Sequence, residues 1–270
     1  MDLYLSAVVL GIVEGLTEFL PVSSTGHLVL VSNWLGLSEG GDHSFDICIQ
    51  AGAILAVVVL YYQRFLNLVS IERGSGLRGL SGNITIIVAC IPALIIGAIF
   101  GSKIKSLLFN PTSISIALII GGIIMILVER SSLTKRTAKS VNLDQISLPQ
   151  SLIVGLFQCL ALCPGASRSA STIIGGMIGG LDRKVAAEFS FIIAVPMLLA
   201  ATAYELLKSH SLFATPEAIY ALLIGLIVSF FSALVAIKFF ISLLSKLNLI
   251  PFAVYRIILG IVVLVLSMAN

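Results

Sequence analysis

The sequence predicts an all-α polytopic membrane protein in which six transmembrane helices and two re-entrant helical hairpins form an inverted-topology repeat. Of its 270 residues, 58% are hydrophobic and only 11% are charged, whereas soluble domains average about 25% charged. Six apolar segments approach the roughly 20 residues that span a bilayer: 44–63, 84–101, 114–129, 185–206, 217–240 and 251–269. We therefore expect a single membrane domain over residues 1–270, with no nucleic-acid partner.

Two further apolar stretches are interrupted by segments rich in Pro, Gly and Ser. Residues 3–38 break at 21–26, and residues 151–181 break at 164–169. Each half is shorter than a normal span, which favours two re-entrant hairpins whose tips lie inside the membrane and are buried in protein. The alternative at each place is one kinked spanning helix followed by a loop.

The basic residues predict the orientation. With both hairpins re-entrant, the loops 64–83, 130–150, 182–184 and 238–250 share one side and carry 11 of the 16 Lys and Arg residues. Only three lysines lie on the opposite side, so the positive-inside rule places the first set in the cytoplasm and both termini outside. Arg256, within the last apolar segment, is expected to snorkel to the cytoplasmic interface.

Each half of the chain is predicted to contain one hairpin followed by three spans, and the two hairpins are predicted to enter the membrane from opposite sides. This layout divides the domain into repeat 1 at about 1–130, a cytoplasmic linker at about 130–150, and repeat 2 at about 151–270. A weak internal similarity agrees with the division, because a GxxE…PxS pattern begins at Gly11 and a GxxQ…PxxS pattern begins at Gly155.

In inverted repeats the two broken elements meet near the membrane midplane. The layout therefore predicts that Arg168, in the second hairpin, approaches Glu18 and His27 in the first.

The first hairpin carries the polar cluster EGLTEFLPVSSTGH, residues 14–27. Glu14 and Glu18 are four residues apart and share a helix face, and such a pair holds Mg²⁺ or Ca²⁺ when phosphate oxygens complete the coordination. The hydroxyl groups of 23–25 suit an anion at a helix start, and His27 is a proton carrier beside a hydroxyl nucleophile. The alternatives are a neutral structural Glu14, simple helix capping, and a helix–helix hydrogen bond by His27.

The second hairpin carries PGASRSAST, residues 164–172. The guanidinium of Arg168 matches the geometry of phosphate and keeps its charge, and Ser167, Ser169 and Thr172 offer further donors. Ionisable groups inside apolar segments mark functional sites by default. The alternative is that Arg168 only forms a salt bridge with a glutamate of the first hairpin.

Other polar residues near these clusters are interpreted mainly as packing or supporting groups: Asp46, Gln50, Glu188 and Ser190. The four cysteines, at positions 48, 90, 159 and 163, show no zinc or disulfide spacing and are interpreted as small core residues.

Five segments together resemble the bacterial undecaprenyl-diphosphate phosphatases of the bacitracin-resistance type, over essentially the whole chain: EGLTEFLPVSSTGH, QAGAILAVVV, PGASRSASTIIGG, EFSFIIAVP and PFAVYR. That family's (E/Q)xxxE motif matches Glu14 and Glu18, and its PGxSRSxxT motif matches residues 164–172. The resemblance implies hydrolysis of a C55 polyprenyl diphosphate to the monophosphate and phosphate, which recycles the carrier for cell-wall synthesis and confers bacitracin resistance. It also implies a bacterial inner membrane location, a site open to the outer face, a divalent cation and a homodimer.

These residues suggest a mechanism for that reaction. Arg168 and a cation held by Glu18, with Glu14, clamp the diphosphate; Ser24 attacks the terminal phosphorus, and His27 or Glu18 accepts its proton. Five hydroxyl residues are predicted to bind phosphate: Ser23, Thr25, Ser167, Ser169 and Thr172. Attack by His27 or directly by water is left open. The competing function is a transporter or flippase of a lipid phosphate, since broken helices in inverted repeats are typical of carriers.

Overall fold

The computed structural model describes residues 2–37, 44–70, 76–131, 142–208 and 215–269. These ranges contain eleven α-helices, two short 3₁₀ turns (Leu143–Gln145 and Cys159–Leu162) and no strand, which confirms the all-α prediction for this part of the chain. The helices are α1 (Leu3–Thr17), α2 (Ser24–Trp34), α3 (Ser44–Leu60), α4 (Tyr62–Val69), α5 (Gly79–Leu108), α6 (Pro111–Arg130), α7 (Leu148–Gln158), α8 (Arg168–Ile178), α9 (Arg183–Lys208), α10 (Pro216–Leu244) and α11 (Ile250–Ala269).

Five helices are long and apolar enough to cross a membrane: α5, α6, α9, α10 and α11. The sixth predicted span, 44–63, is not one straight helix, because α3 ends at Leu60 and α4 continues at an angle of 79°. The side chain of Arg64 on α4 donates to both carboxylate oxygens of Asp144 at 2.8 and 2.9 Å. This ion pair holds α4 against the segment that precedes α7, so the bend is part of the packed structure.

Both predicted interruptions are breaks between short helices. The first lies between α1 and α2 and the second between α7 and α8, and the two helices of each pair pack on one another. With 11 residues each, α2, α7 and α8 are about 16 Å long at 1.5 Å per residue. That is roughly half of the ~30 Å hydrocarbon core, so none of the three is long enough to cross it.

Helices of each half of the chain pack against helices of the other half. Helix α1 packs on α10 while α7 packs on α5, and α3 packs on α10 while α9 packs on α5. Two other pairs join corresponding helices of the two halves, α3 with α9 and α6 with α11. Each hairpin is therefore held by a long helix of the other half.

Glycines allow these close approaches. A Cβ on Gly11 would lie 2.8 Å from the carbonyl oxygen of Gly225 on α10, and a Cβ on Gly155 would lie 2.7 Å from that of Ala89 on α5. Small residues of this kind let membrane helices pack backbone to backbone. The two glycines begin the repeated sequence patterns, so the same residue type serves the same contact in each half.

Arg256 does not snorkel, and that expectation was wrong. The side chain is fully buried, and its Nη2 donates to the carbonyl oxygens of Gly165 at 3.1 Å and Ala166 at 2.9 Å. These carbonyls belong to the non-helical segment between α7 and α8, and they give the guanidinium hydrogen-bond acceptors within the protein.

Some predictions fall outside the described residues. Most of the linker, residues 132–141, lies there, as do four of the basic residues used to orient the chain: Arg73, Lys135, Arg136 and Lys139. His43 and His210, which the sequence places in loops between apolar segments, also lie outside the described residues.

Candidate active site

The two hairpin tips share one backbone geometry. Ser23 (φ 72°, ψ 97°) and Ser167 (φ 69°, ψ 116°) are the two non-glycine residues with positive φ in the described chain, and each is the N-cap of the helix that follows. Their hydroxyl oxygens accept from the backbone N–H of Gly26 at 3.3 Å and of Ala170 at 3.2 Å. This conformation is unfavourable for residues with a side chain and persists where the surroundings enforce it, often at functional sites. Both tips thus present a helix N-terminus, which favours an anion.

A cavity of about 250 Å³ lies between the tips. Six of the predicted site residues line it, together with the amides of Gln50 and Gln158. The six are Glu18, Ser23, Ser24, Thr25, Ser167 and Arg168. The cavity is large enough for a polar head group but small for a long lipid.

Glu18 connects the two hairpins. Its Oε2 accepts a hydrogen bond from the Ser24 hydroxyl at 2.6 Å, and its Oε1 pairs with Nη2 of Arg168 at 3.1 Å. The side chains of Glu18 and Arg168 are 5% and 10% exposed, so the ion pair is largely removed from solvent. The predicted meeting of Arg168 with Glu18 is confirmed. A hydroxyl that already donates to a carboxylate is arranged to lose its proton as it attacks an electrophile.

Arg168 is held by α9 as well. Its Nη1 donates to the carbonyl and hydroxyl oxygens of Ser190 at 3.0 and 3.1 Å, and its guanidinium carbon lies 5.4 Å from the centre of the Phe19 ring. The Ser190 hydroxyl lies 2.6 Å from that of Thr172, which donates to the backbone carbonyl of Arg168 at 2.8 Å. The Arg168 Nε–H is buried and lacks a partner among the described residues. It is therefore a donor that remains for an incoming anion.

Two of the predicted phosphate ligands have protein partners instead. The Ser169 hydroxyl donates to the carbonyl oxygen of Leu20 at 2.8 Å, which joins the second tip directly to the first. Thr172 is fully buried in the contact with Ser190. Neither lines the cavity, so in this structure they position the tip, and their contact with phosphate stays a prediction.

His27 points away from the proposed nucleophile. Its Nδ1 lies 2.7 Å from the carbonyl oxygen of Ser23 and its Nε2 lies 2.7 Å from the hydroxyl of Tyr255, against whose ring it stacks. Because a carbonyl only accepts, Nδ1 carries the hydrogen, and in the neutral ring Nε2 accepts from Tyr255. Both nitrogens are engaged, and His27 does not line the cavity. Glu18, and not His27, is hydrogen-bonded to Ser24.

Glu14 lies one helical turn before Glu18 and is fully buried. Neither of its carboxylate oxygens has a hydrogen-bond partner among the described residues. An unpartnered buried carboxyl is costly unless a proton or a cation neutralises it. The corresponding residue of the second hairpin, Gln158, instead donates to the carbonyl oxygen of Ala89 at 3.1 Å.

Both glutamates fit a divalent cation by their chemistry, and Glu14 fits it also by this lack of partners, whereas the two oxygens of Glu18 already contact Ser24 and Arg168. In the described chain no group of three or more His, Cys, Asp or Glu side chains converges on one point. Glu14 and Glu18 would therefore supply at most two carboxylates, and Mg²⁺ is commonly bound by one or two carboxylates with substrate phosphate oxygens.

The structure places six of the ten predicted site residues around one cavity, and sequence reasoning missed some of the residues that surround them. Ser190 and Gln50 were expected only as packing or supporting residues, yet the first holds Arg168 and the second lines the cavity. Tyr255 was not identified, and Arg256 was assigned to the interface. The signal available for Arg256 was a charged residue inside an apolar helix, less than two turns from its start, a setting that marks a functional-site candidate.

Comparison with known proteins gives a consistent result. The family model described as bacitracin resistance protein BacA matches residues 7–262. Proteins named undecaprenyl-diphosphatase are similar along nearly their whole length. The one from Desulfovibrio desulfuricans is 48% identical over 260 residues, 96% of this chain and 97% of the relative. The one from Clostridium tetani is 48% identical over 267 residues, 99% and 97%, and the one from Neisseria gonorrhoeae is 44% identical over 266 residues, 98% and 96%.

Proposed function

The chain belongs to the bacitracin resistance protein BacA family and hydrolyses undecaprenyl diphosphate to undecaprenyl phosphate and inorganic phosphate, and we propose that the cavity between its two hairpin tips is where this occurs. The reaction returns the lipid carrier to cell-wall synthesis. It also confers bacitracin resistance, because a larger amount of enzyme leaves less of the diphosphate that bacitracin binds. The competing function of a lipid-phosphate transporter is not favoured by the family.

One observation carries the assignment of the site. A single carboxylate, that of Glu18, accepts from the Ser24 hydroxyl and pairs with the Arg168 guanidinium. A potential nucleophile, a proton acceptor and an anion-binding cation thus converge from opposite halves of the chain. Cleavage of a diphosphate needs these three functions in one place, because charge must be stabilised on the transferred phosphoryl group while the nucleophile is held in line.

The geometry supports attack by Ser24. The Ser24 oxygen attacks the terminal phosphorus and its proton passes to Glu18 Oε2. As the bond to the bridging oxygen breaks, Glu18 gives this proton to the departing undecaprenyl phosphate and is again a carboxylate. In the second step Glu18 takes a proton from the water that attacks the phosphoserine and passes it to the leaving Ser24 oxygen, which frees inorganic phosphate and restores the hydroxyl. Arg168 binds the phosphoryl oxygens through its free Nε–H and through Nη2, and Ser190 keeps the guanidinium in place.

Glu14 and Glu18 are the residues that would hold a divalent cation, Mg²⁺ or Ca²⁺. When bound, such an ion supplies positive charge against the diphosphate oxygens. The support is the fully buried Glu14 carboxyl, whose oxygens have no hydrogen-bond partner in the described chain.

The prenyl chain has a separate place to lie. A second cavity of about 390 Å³ runs between α6 and α8 and is lined mainly by apolar side chains, among them Ile116, Ile120, Ile124 and Ile174. Cys163, in the second tip, lines both this groove and the active-site cavity. The groove follows α6 from Ser113 to Ile124, which is about 16 Å at 1.5 Å per residue. The isoprene units nearest the diphosphate would occupy it.

The site is proposed to open to the outer face of a bacterial inner membrane, with both termini outside and the hairpins re-entrant in an inverted repeat. A small cavity of about 70 Å³ shares Thr25 and Gln50 with the active-site cavity and reaches Lys105. Lys105 lies in the last turn of α5, at the end that the charge distribution assigns to the outer side. The packing of helices between the two halves supports the repeat, and the family resemblance supports a homodimer.

Phosphate release by pure protein in detergent tests the proposal. The wild-type protein should release phosphate from undecaprenyl diphosphate without any sealed compartment, which transport requires. Ser24→Ala should lower turnover roughly 10³-fold or more, since removal of a covalent nucleophile leaves only binding and electrostatic catalysis. Ser32→Ala, at a buried serine of the same helix outside the cavity, is the matched control. Acid quenching during turnover should trap phosphate on Ser24; near-normal activity of Ser24→Ala would exclude it as nucleophile.

A further inference from the structure

Arg256 is a buried cation without an anionic partner. The side chain has no exposed surface, and among the described residues it forms no ion pair. Its contacts are the carbonyl oxygens of Gly165 and Ala166 and, at 3.7 Å, the sulfur of Met125. A buried charge is retained only where its hydrogen bonds are needed. What Arg256 holds is the backbone immediately before Ser167.

The preceding residue holds the other tip. Tyr255 forms the 2.7 Å hydrogen bond to Nε2 of His27, whose Nδ1 donates to the carbonyl oxygen of Ser23. Ser23 is the positive-φ residue that comes directly before Ser24. Tyr255 therefore reaches the backbone of the first tip through the His27 ring.

Tyr255 and Arg256, which are consecutive on α11, thus hold the two tips at corresponding points. In each tip the backbone that they hold lies at, or just before, the positive-φ serine that caps the next helix. The proposed catalytic side chain follows directly after that serine. The tips themselves touch through Ser169 and the carbonyl of Leu20 and through the pair of Arg168 with Glu18. Helix α11 is the common support of both.

We propose that Tyr255 and Arg256 form a clamp that sets the distance between the Ser24 hydroxyl and the Arg168 guanidinium. Both are positioning residues: Tyr255 acts through His27 and Arg256 acts through the carbonyls of 165–166. The proposal rests on the active site proposed above and gives His27 a role other than proton transfer to Ser24. Misplacement of reacting groups by about 1 Å is enough to lower a rate by roughly 100-fold, so a loosened clamp reduces catalysis without removing any reacting group.

A double-mutant cycle on Tyr255 and His27 tests the clamp by phosphate release. Tyr255→Phe removes only the hydroxyl and should lower kcat roughly 10- to 100-fold, with KM within about twofold and a melting temperature close to that of the wild type. In a His27→Asn background the same change should cost less than about twofold, because coupled residues are not additive. An equal loss in both backgrounds would show that Tyr255 does not act through His27 and would overturn that arm of the clamp.

Tyr220→Phe, on α10 and more exposed than Tyr255, is the control and should leave both constants unchanged. For the second arm, Arg256→Met and Arg256→Gln each remove the one nitrogen, Nη2, that donates to both carbonyls, the first with an apolar end and the second with a polar one. A folded variant of either kind with wild-type kcat would overturn that arm. Failure of the wild-type protein to release phosphate would refute the proposed function, whereas full activity of these variants would refute only the clamp.

Discussion

Replacement of Arg168 by Ala should abolish turnover. Arg168 donates to Glu18 Oε1 and to both oxygens of Ser190, so the change removes the anion-binding group and leaves buried acceptors without donors. An arginine that stabilises a transferring phosphoryl group is worth about 10³–10⁵ in kcat, or about 4–7 kcal/mol at 1.36 kcal/mol per factor of ten. Removal of one member of a buried ion pair costs about 3–5 kcal/mol of stability, and the 10% exposure of Arg168 puts this pair toward the lower end.

Arg168→Lys separates these two effects. A lysine can keep the charge opposite Glu18 and so maintain the fold, but it cannot bind Glu18, Ser190 and a phosphoryl group with one rigid fork. We expect a melting temperature near that of the wild type and a loss in kcat of roughly 10² or more. The assay is release of inorganic phosphate from undecaprenyl diphosphate under saturating substrate. Turnover near the wild-type rate in folded Arg168→Ala protein would refute the role given to this residue and the site built around it.

Three further predictions concern the two glutamates, the apolar groove and the packing of α1. Glu18→Gln should lower kcat roughly 10²–10⁴-fold, since it removes the proton acceptor of the nucleophile, whereas Glu14→Gln should retain more activity and raise the divalent-cation concentration needed for half-maximal rate. Ile120→Trp, in the apolar groove, should raise KM for undecaprenyl diphosphate and for a C15 analogue alike, because both would place the isoprene units nearest the diphosphate there, while Ile123→Trp on the same helix outside the groove should change neither. Gly15→Ala should lower the melting temperature, because its Cβ would lie 2.8 Å from a backbone nitrogen of α10 and overpacking costs about 1–3 kcal/mol.

The meeting of the two hairpin tips was predictable because the sequence repeats the pattern that builds it. A proline, a serine N-cap and a short apolar helix occur twice; Arg168 directly follows one of those serines, and Glu18 lies five residues before the other. Arg168 and Glu18 are each costly in an apolar setting, and pairing them removes most of that cost. The prediction therefore needed only composition, spacing and the tendency of broken elements to meet at a midplane.

The contacts of α11 were not predictable in the same way. Tyr255 and His27 are 228 positions apart, and Arg256 and Gly165 are 91 apart, so no local pattern links them. An arginine near the end of a membrane helix can place its guanidinium at the membrane interface or donate to backbone carbonyls that lack partners. Which of the two occurs depends on the packing of the whole fold. The bend after Leu60 depends likewise on a distant partner, since Arg64 turns toward Asp144.

The chemistry of the site comes from an asymmetry between two tips of nearly equal shape. The backbone angles of Ser23 and Ser167 differ by 3° in φ and 19° in ψ, yet the next residue is Ser24 in one tip and Arg168 in the other. If the two tips had the same sequence as well as the same shape, they would present identical groups to each other. Two hydroxyls or two guanidinium groups cannot cleave a diphosphate. Because the residue that follows the positive-φ serine differs, the same fold element supplies the nucleophile from one half and the anion-binding cation from the other. Exchange of the two residues, as Ser24→Arg with Arg168→Ser, should therefore leave the enzyme inactive, because Ser190, which holds the guanidinium in place, lies beside position 168.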